Sequence, residues 1–126
     1  IRRSDRRVVL LASGAMSHKF WPLKELRRHE PSDPAHIFSP AHRAADERVM
    51  SLMQQGDHAT VLNEYPAFRA YSPEARFAHY VVMASAMGGA AWTSRGQALS
   101  DYENAAGTGN VQMWFPVASA GALQTL

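Results

Sequence analysis

Residues 8–18 read Val8-Val9-Leu10-Leu11-Ala12-Ser13-Gly14-Ala15-Met16-Ser17-His18. Five apolar residues in a row, two of them β-branched, followed by small residues, are the pattern of a strand buried on both faces, as in a parallel sheet, that ends in a loop. In open α/β sheets ligands sit beyond the carboxyl ends of the strands. The loop with Ser17 and His18 is therefore the first place to look for function. Its small residues let a ligand come close to the backbone, and an imidazole can take or give a proton near neutral pH. On residue chemistry alone His18 reads equally well as a catalyst or as an ordinary loop residue. Ser17 beside it does not make a serine hydrolase: no G-x-S-x-G surrounds it, and adjacent side chains on an extended loop diverge.

Composition supports a folded domain around that strand. The chain has 126 residues, 46% hydrophobic and 19% charged, enough for one domain with a real core. No apolar run approaches the roughly 18 residues of a membrane span. Cysteine is absent, which excludes disulfides, thiolate metal sites, iron–sulfur clusters and a cysteine nucleophile. A cytoplasmic location is expected, since a reducing compartment suits a chain without Cys. Lys and Arg number 13 against 11 Asp and Glu, a net +2, and the first 30 residues hold eight of the basic groups. No aromatics alternate with Arg2, Arg3, Arg6 and Arg7, so they read as a solvated strand entry rather than a nucleic-acid surface. The chain begins at Ile1, with no signal-peptide pattern after it. This fits trimming or a piece of a longer polypeptide.

Working outward from the strand, residues 29–40 form a polar connector with Pro31, Pro34 and Pro40. Ser39 is placed to cap a helix with Pro40 at its first position. Ala41, Ala45, Val49, Leu52 and Met53 share one face of it, and Gly56 ends it. Asp57 can cap a shorter second helix through Val61, Leu62 and Tyr65, which Pro66 is expected to interrupt. Ser72-Pro73-Glu74 reads as cap, first-position proline and acidic first turn of a third helix that reaches Met87 and stops at Gly88-Gly89. Phe77, Val81, Ala84 and Met87 should face the core. Glu74 lies either at the buried edge of a site or as a dipole-stabilising first-turn residue, and residue chemistry alone favours the second. The last third reads as strand structure: Ala98-Leu99, a turn at Gly107-Thr108-Gly109-Asn110, and the near-alternating Val111–Phe115. Residues 118–126 read as a tail behind a domain of residues 1–117.

Six histidines occur: His18, His29, His36, His42, His58 and His79. None pair at the i, i+4 spacing of a helical zinc motif, and no H-E-x-x-H is present. His29, His36, His42 and His58 fall in the connector or near helix starts, where an exposed imidazole is common. His79 sits mid-helix beside the apolar stripe, as a core or groove-lining residue. Gly107-Thr108-Gly109 completes no phosphate-loop pattern and reads as a turn.

Three stretches carry a family resemblance. Leu11–Phe20 resembles the G-x-x-S-H loop of the LigB-type (class III) extradiol ring-cleavage dioxygenases. This superfamily includes protocatechuate 4,5-dioxygenase catalytic subunits and one lineage of 3,4-dihydroxyphenylacetate 2,3-dioxygenases. Pro73–Tyr80 resembles the family's E-G helix start, with Ala75 where the family usually has Gly. Asn104–Val111 resembles its S-S-G-T-G-Q strand. The three occur in family order and span residues 8–116.

The resemblance implies a non-haem Fe(II) enzyme that opens a catechol ring beside its hydroxyls with O₂. It implies a facial triad of two His and one Glu, the Glu falling on Glu74. His18 falls on the acid–base residue of the G-x-x-S-H loop. Ser17, Phe20, His79 and Tyr102 are candidates for substrate binding, and Arg76 or Lys19 for meeting an acidic side chain on the substrate. The family's two iron-binding histidines come from a preceding half, so the resemblance casts this chain as a C-terminal half, inactive alone. It would work as a homo-oligomer or together with that half. The expected fold is α/β, a sheet with flanking helices, without nucleic-acid or membrane partners. A rival reading is a non-catalytic subunit or interaction domain that keeps the fold and lacks the iron site.

Overall fold

Ser39 starts the first helix as its spacing implies. In the computed structural model, which describes residues 5–117, its hydroxyl accepts the His42 N–H at the head of α1 (Pro40–Gln55). Gly56 ends α1 with φ 76°, a left-handed conformation, and its N–H returns to the carbonyls of Leu52 and Met53. The buried face holds Val49, Leu52 and Met53, while Ala41 is exposed and Ala45 half-buried. Asp46 is on that face too, fully buried.

Asp57 caps α2 (His58–Phe68), accepting the Thr60 N–H at 3.0 Å. Pro66 does not break this helix, contrary to expectation. It sits in the last turn, where its missing N–H removes one hydrogen bond shortly before the helix ends. A 3₁₀ turn, Arg69–Tyr71, follows.

The third helix also differs from expectation. Ser72 is not its cap. It has φ 52°, and Pro73 pairs instead with Ser17 in an isolated antiparallel bridge. Glu74–Phe77 form a tight turn in which Ala75, Arg76 and Phe77 have φ of 48°, 55° and 63°. Only then does α3 (Ala78–Met87) begin. The long-range pairing at Pro73 overrides the local cap signal. Phe77 and Ala84 are buried and Val81 and Met87 half-buried against the core, as their spacing requires, and Tyr80 joins them.

Two small antiparallel sheets complete a mixed α/β fold. β1 (Gln97–Ala98) pairs with β4 (Met113–Trp114), and β2 (Glu103–Ala105) with β3 (Thr108–Asn110). The turn lies at Ala106-Gly107, both at positive φ, as a two-residue hairpin demands. Thr108–Asn110, expected to turn, is therefore strand. Val8–Ala12, expected to be a buried parallel strand, is neither. Val9 is 72% and Leu11 89% exposed, and among the described residues no strand lies beside it. A parallel strand needs a neighbour and covering helices, and this segment has only the run of apolar residues. The predicted tail, residues 118–126, lies outside the described residues.

The core is built where the helices meet. Phe77 stacks on Tyr80 at 4.8 Å and meets the edge of Phe68 at 5.0 Å. Val49, Leu52, Met53, Val61, Ala84 and Trp92 close around them, with Met16 from the N-terminal loop. Each large apolar side chain buried here contributes about 1.5–3 kcal/mol. Among the described residues no helix is long and apolar enough to cross a membrane.

Candidate active site

The loop after Gly14 is pinned on both sides. On one side the Met16 N–H donates to the Gly109 carbonyl at 2.9 Å and the Gly109 N–H to the Ser17 carbonyl at 3.0 Å. On the other, the Glu74 N–H donates to the Met16 carbonyl at 3.2 Å and the His18 N–H to the Ser72 carbonyl at 3.0 Å. Residues 16–18 thus run as the middle member of a three-stretch ribbon between residues 72–74 and β3. The Glu74 carboxylate ties the ribbon again, accepting the Ala15 N–H at 2.5 Å. Stretches 59 residues apart in sequence meet at this bond.

Below the ribbon lies Asp46. Its Oδ1 accepts the Ser17 N–H at 2.8 Å, and its Oδ2 accepts the Ser17 hydroxyl at 2.7 Å and the Tyr102 hydroxyl at 2.6 Å. Burial pushes its pKa up, while the donated bonds from Tyr102 and Ser17 pull the other way and only partly offset it. The Tyr102 phenol is pushed far up, by burial first and then by Asp46. Gly109 allows this packing, because a Cβ there would collide with the Asp46 carboxylate and the Tyr102 ring. Asp46 is absent from the sequence candidates. The signal was available: Asp46, Val49 and Met53 follow i, i+3, i+7, which puts a carboxylate in the apolar stripe.

The predicted residues divide into two groups. Glu74 and His79 reach a groove of about 1110 Å³. Leu10, Phe77, Met83 and Trp114 lie on its wall, and so do charged and polar side chains, among them Asp101, Glu103, Asn110 and Gln112. His79 packs on Gly14, where a Cβ would come within 2.5 Å of its Nδ1. Burial lowers the His79 pKa, opposed by the Glu74 charge and backbone, so its imidazole is neutral near pH 7. Ser17, His18, Phe20 and Tyr102 are not on the groove wall. Ser17 is fully buried on Asp46, and Tyr102 also spends its hydroxyl there. His18 presents its ring to the edge of Phe20 at 4.9 Å, and Phe20 is 57% exposed. The Nδ1 atoms of His18 and His79 are both buried without a hydrogen-bond partner among the described residues. Lys19 lies over the Phe38 ring at 4.2 Å.

The arrangement offers a groove of mixed polarity with carboxylates and a neutral imidazole on its wall, and on the adjoining ribbon a second imidazole whose Nδ1 is buried and unpartnered among the described residues. A concavity with converging polar groups is the usual form of a small-molecule site.

Comparison with known families agrees with the resemblance at the level of the family. The model of the catalytic LigB subunit of aromatic ring-opening dioxygenase matches residues 1–116, and the chain belongs to that family. No curated protein matches the chain.

Proposed function

We propose that this chain is part of an extradiol dioxygenase that opens catecholic rings with O₂ and Fe(II). One observation carries the reading. The three stretches that resemble the family's motifs, far apart in sequence, are hydrogen-bonded into one ribbon beside that groove. The family covers aromatic ring opening in general; the catechol, its cleavage beside the hydroxyls and the iron are the proposal.

Among the described residues no group of three or more His, Cys, Asp and Glu side chains gathers as a metal site. The residues present do not fit an iron centre by themselves. In the proposal Glu74 is the one ligand from this chain, and the remaining ligands come from outside the described residues. What the chain itself supplies is binding and proton handling. The groove holds the ring against Phe77 and excludes water from it. His79, neutral and half-buried, faces a substrate hydroxyl. His18, on the adjoining ribbon, takes a catechol proton once its Nδ1, buried and off the groove wall, is opened to the substrate. The ribbon keeps His18 and Glu74 in fixed relation through the Ser72 and Met16 carbonyls.

The test is oxygen uptake with 3,4-dihydroxyphenylacetate after anaerobic loading with Fe(II), in the assembly that contains this chain. The expected result is stoichiometric uptake and a yellow ring-opened product. His18→Ala should lower turnover by about 10²–10⁴-fold, the range for loss of an acid–base group, with iron retained. Glu74→Gln should lose iron as well. A second reading, a non-catalytic subunit that keeps the fold, draws on the absence of a three-ligand group among the described residues and on the exposed Val9 and Leu11. Uptake that ignores both substitutions favours it.

A further inference from the structure

The connector before α1 brings two imidazoles together away from the ribbon. His29 Nδ1 and His36 Nδ1 lie 3.2 Å apart, with ring centroids 5.3 Å apart and planes at 69°. Two nitrogens each about 2.1 Å from one metal ion are separated by about 3.0–3.4 Å for octahedral to tetrahedral angles. The pair already has the spacing of a chelate.

Both residues are held by contacts outside the pair, Trp21 touching each of them. The His29 ring stacks on Trp21 at 3.7 Å and 8°, and its carbonyl accepts the Asn104 amide at 2.7 Å. The His36 N–H donates to the Asp33 carbonyl at 3.0 Å, and its carbonyl accepts the Trp21 indole N–H at 2.8 Å. Asp33 caps the Pro34–His36 turn through the Ala35 N–H. The Trp21 stack orients the His29 ring and the main-chain bonds fix the backbone at both residues, which reduces the ordering a metal must impose. Without a metal, the two neutral rings can sit this close only by sharing one proton between the Nδ1 atoms. A metal dication replaces that proton and uses both lone pairs.

We propose that His29 and His36 form a two-imidazole site for a transition-metal dication of the class that prefers nitrogen ligands, Cu(II) most tightly and Ni(II) and Zn(II) less so. Water completes the coordination. Two protein ligands make it weaker than a three- or four-ligand structural site. The site is separate from the ribbon and does not rest on the ring-opening reading.

Trp21 reports on it directly, because a paramagnetic ion bound to His29 lies beside the stacked indole. Titration of the protein with CuCl₂ should quench tryptophan fluorescence in a saturable phase at one equivalent. His29→Gln and His36→Gln should each remove that phase, and Glu74→Gln should leave it intact. A separate readout is the Tm: NiCl₂ should raise it in the unsubstituted protein and not in His36→Gln. That variant keeps the main-chain bonds of residue 36 and is checked for folding by circular dichroism. No saturable quenching together with no Tm shift would overturn the proposal. So would quenching and a Tm shift that persist unchanged in both variants, or a saturable phase lost only in Glu74→Gln.

Discussion

Two regions hold buried histidines in opposite states. Around His58 every polar atom is used. Its Nε2 donates to the Ser94 carbonyl at 2.7 Å, so its Nδ1 must accept the Tyr80 hydroxyl, also at 2.7 Å. Its ring stacks on Trp92 at 3.7 Å and takes the edge of Phe115 at 5.3 Å. Around the ribbon, His18 and His79 each keep a buried Nδ1 with no partner among the described residues. A satisfied imidazole joins elements: His58 ties α2 to α3 and to the segment after Trp92. An open one has a valence left for something the protein does not supply. Buried polar groups are normally paired, so the open pair is what sets the proposed site apart from the closed cluster around His58.

The largest expected effect sharpens that contrast. His58→Ala should cost about 3–4 kcal/mol, because it leaves a cavity under Trp92 and strands the Tyr80 hydroxyl and the Ser94 carbonyl. His18→Ala gives up no ring hydrogen bond and should cost about 1 kcal/mol or less. Urea denaturation of both variants checks this. Equal losses would erase the distinction between the two regions.

Next comes Asp46, a buried group on the ribbon side that is as fully engaged as His58. Asp46→Ala should cost about 2–4 kcal/mol, since it strands the Ser17 N–H, the Ser17 hydroxyl and the Tyr102 hydroxyl. Asp46→Asn should cost less. Its amide oxygen still accepts the Ser17 N–H, and its NH₂ can donate to a hydroxyl oxygen. Hydrogen exchange at the Ser17 amide should accelerate in the alanine variant more than the global loss explains. An unchanged rate would detach Asp46 from the ribbon.

The two regions also share a pH dependence of one sign. Burial lowers the pKa of His58 despite the Ser94 carbonyl and the nearby Asp57 charge, and it lowers that of His79 despite Glu74. The folded chain therefore binds fewer protons than the unfolded chain just below the ordinary histidine pKa of about 6.5. Stability is full above that value and falls as the pH drops through it. Thermal melts between pH 7.5 and 5 should show the fall. His58→Asn should flatten it only in part, because His79 and His42 are shifted the same way. A fall unchanged in His58→Asn would assign the dependence to the ribbon side.

How much of each region the sequence reveals follows from the range of its contacts. Ser39, Gly56 and Asp57 act on neighbours a few residues away, so the helices around the His58 cluster can be read with close boundaries. The ribbon is built from bonds spanning 54 to 93 residues, and its tie to Asp46 spans 29, which no local pattern encodes. That is why Ser72 reads as a helix cap and Asp46 passes unnoticed. The apolar run at Val8–Ala12 misleads for the same reason, since a strand is defined by its partner and not by its own residues. The motifs of the ribbon are visible only through resemblance to a family, and the resemblance says nothing of His29 and His36.

The smallest expected effect tests one of the left-handed residues in the turn beside the ribbon. Ala75 has φ 48°, in the left-handed region, in the position where the resembled motif has Gly. An L-residue there is less favourable than in the right-handed region by about 1–2 kcal/mol. Replacing it with Gly relieves that cost but loosens the unfolded chain, which takes back about 0.4–1 kcal/mol. Ala75→Gly should therefore stabilise by about 0.5–1 kcal/mol. Ala44, exposed within α1, gives the control: Ala44→Gly should destabilise by about 1 kcal/mol, the ordinary helix penalty. The same chemical change then has opposite signs in the two settings, read as a difference in urea midpoint. If Ala75→Gly destabilises as Ala44→Gly does, the turn that presents Glu74 is not left-handed in solution, and the Pro73–Ser17 bridge has to orient the carboxylate unaided.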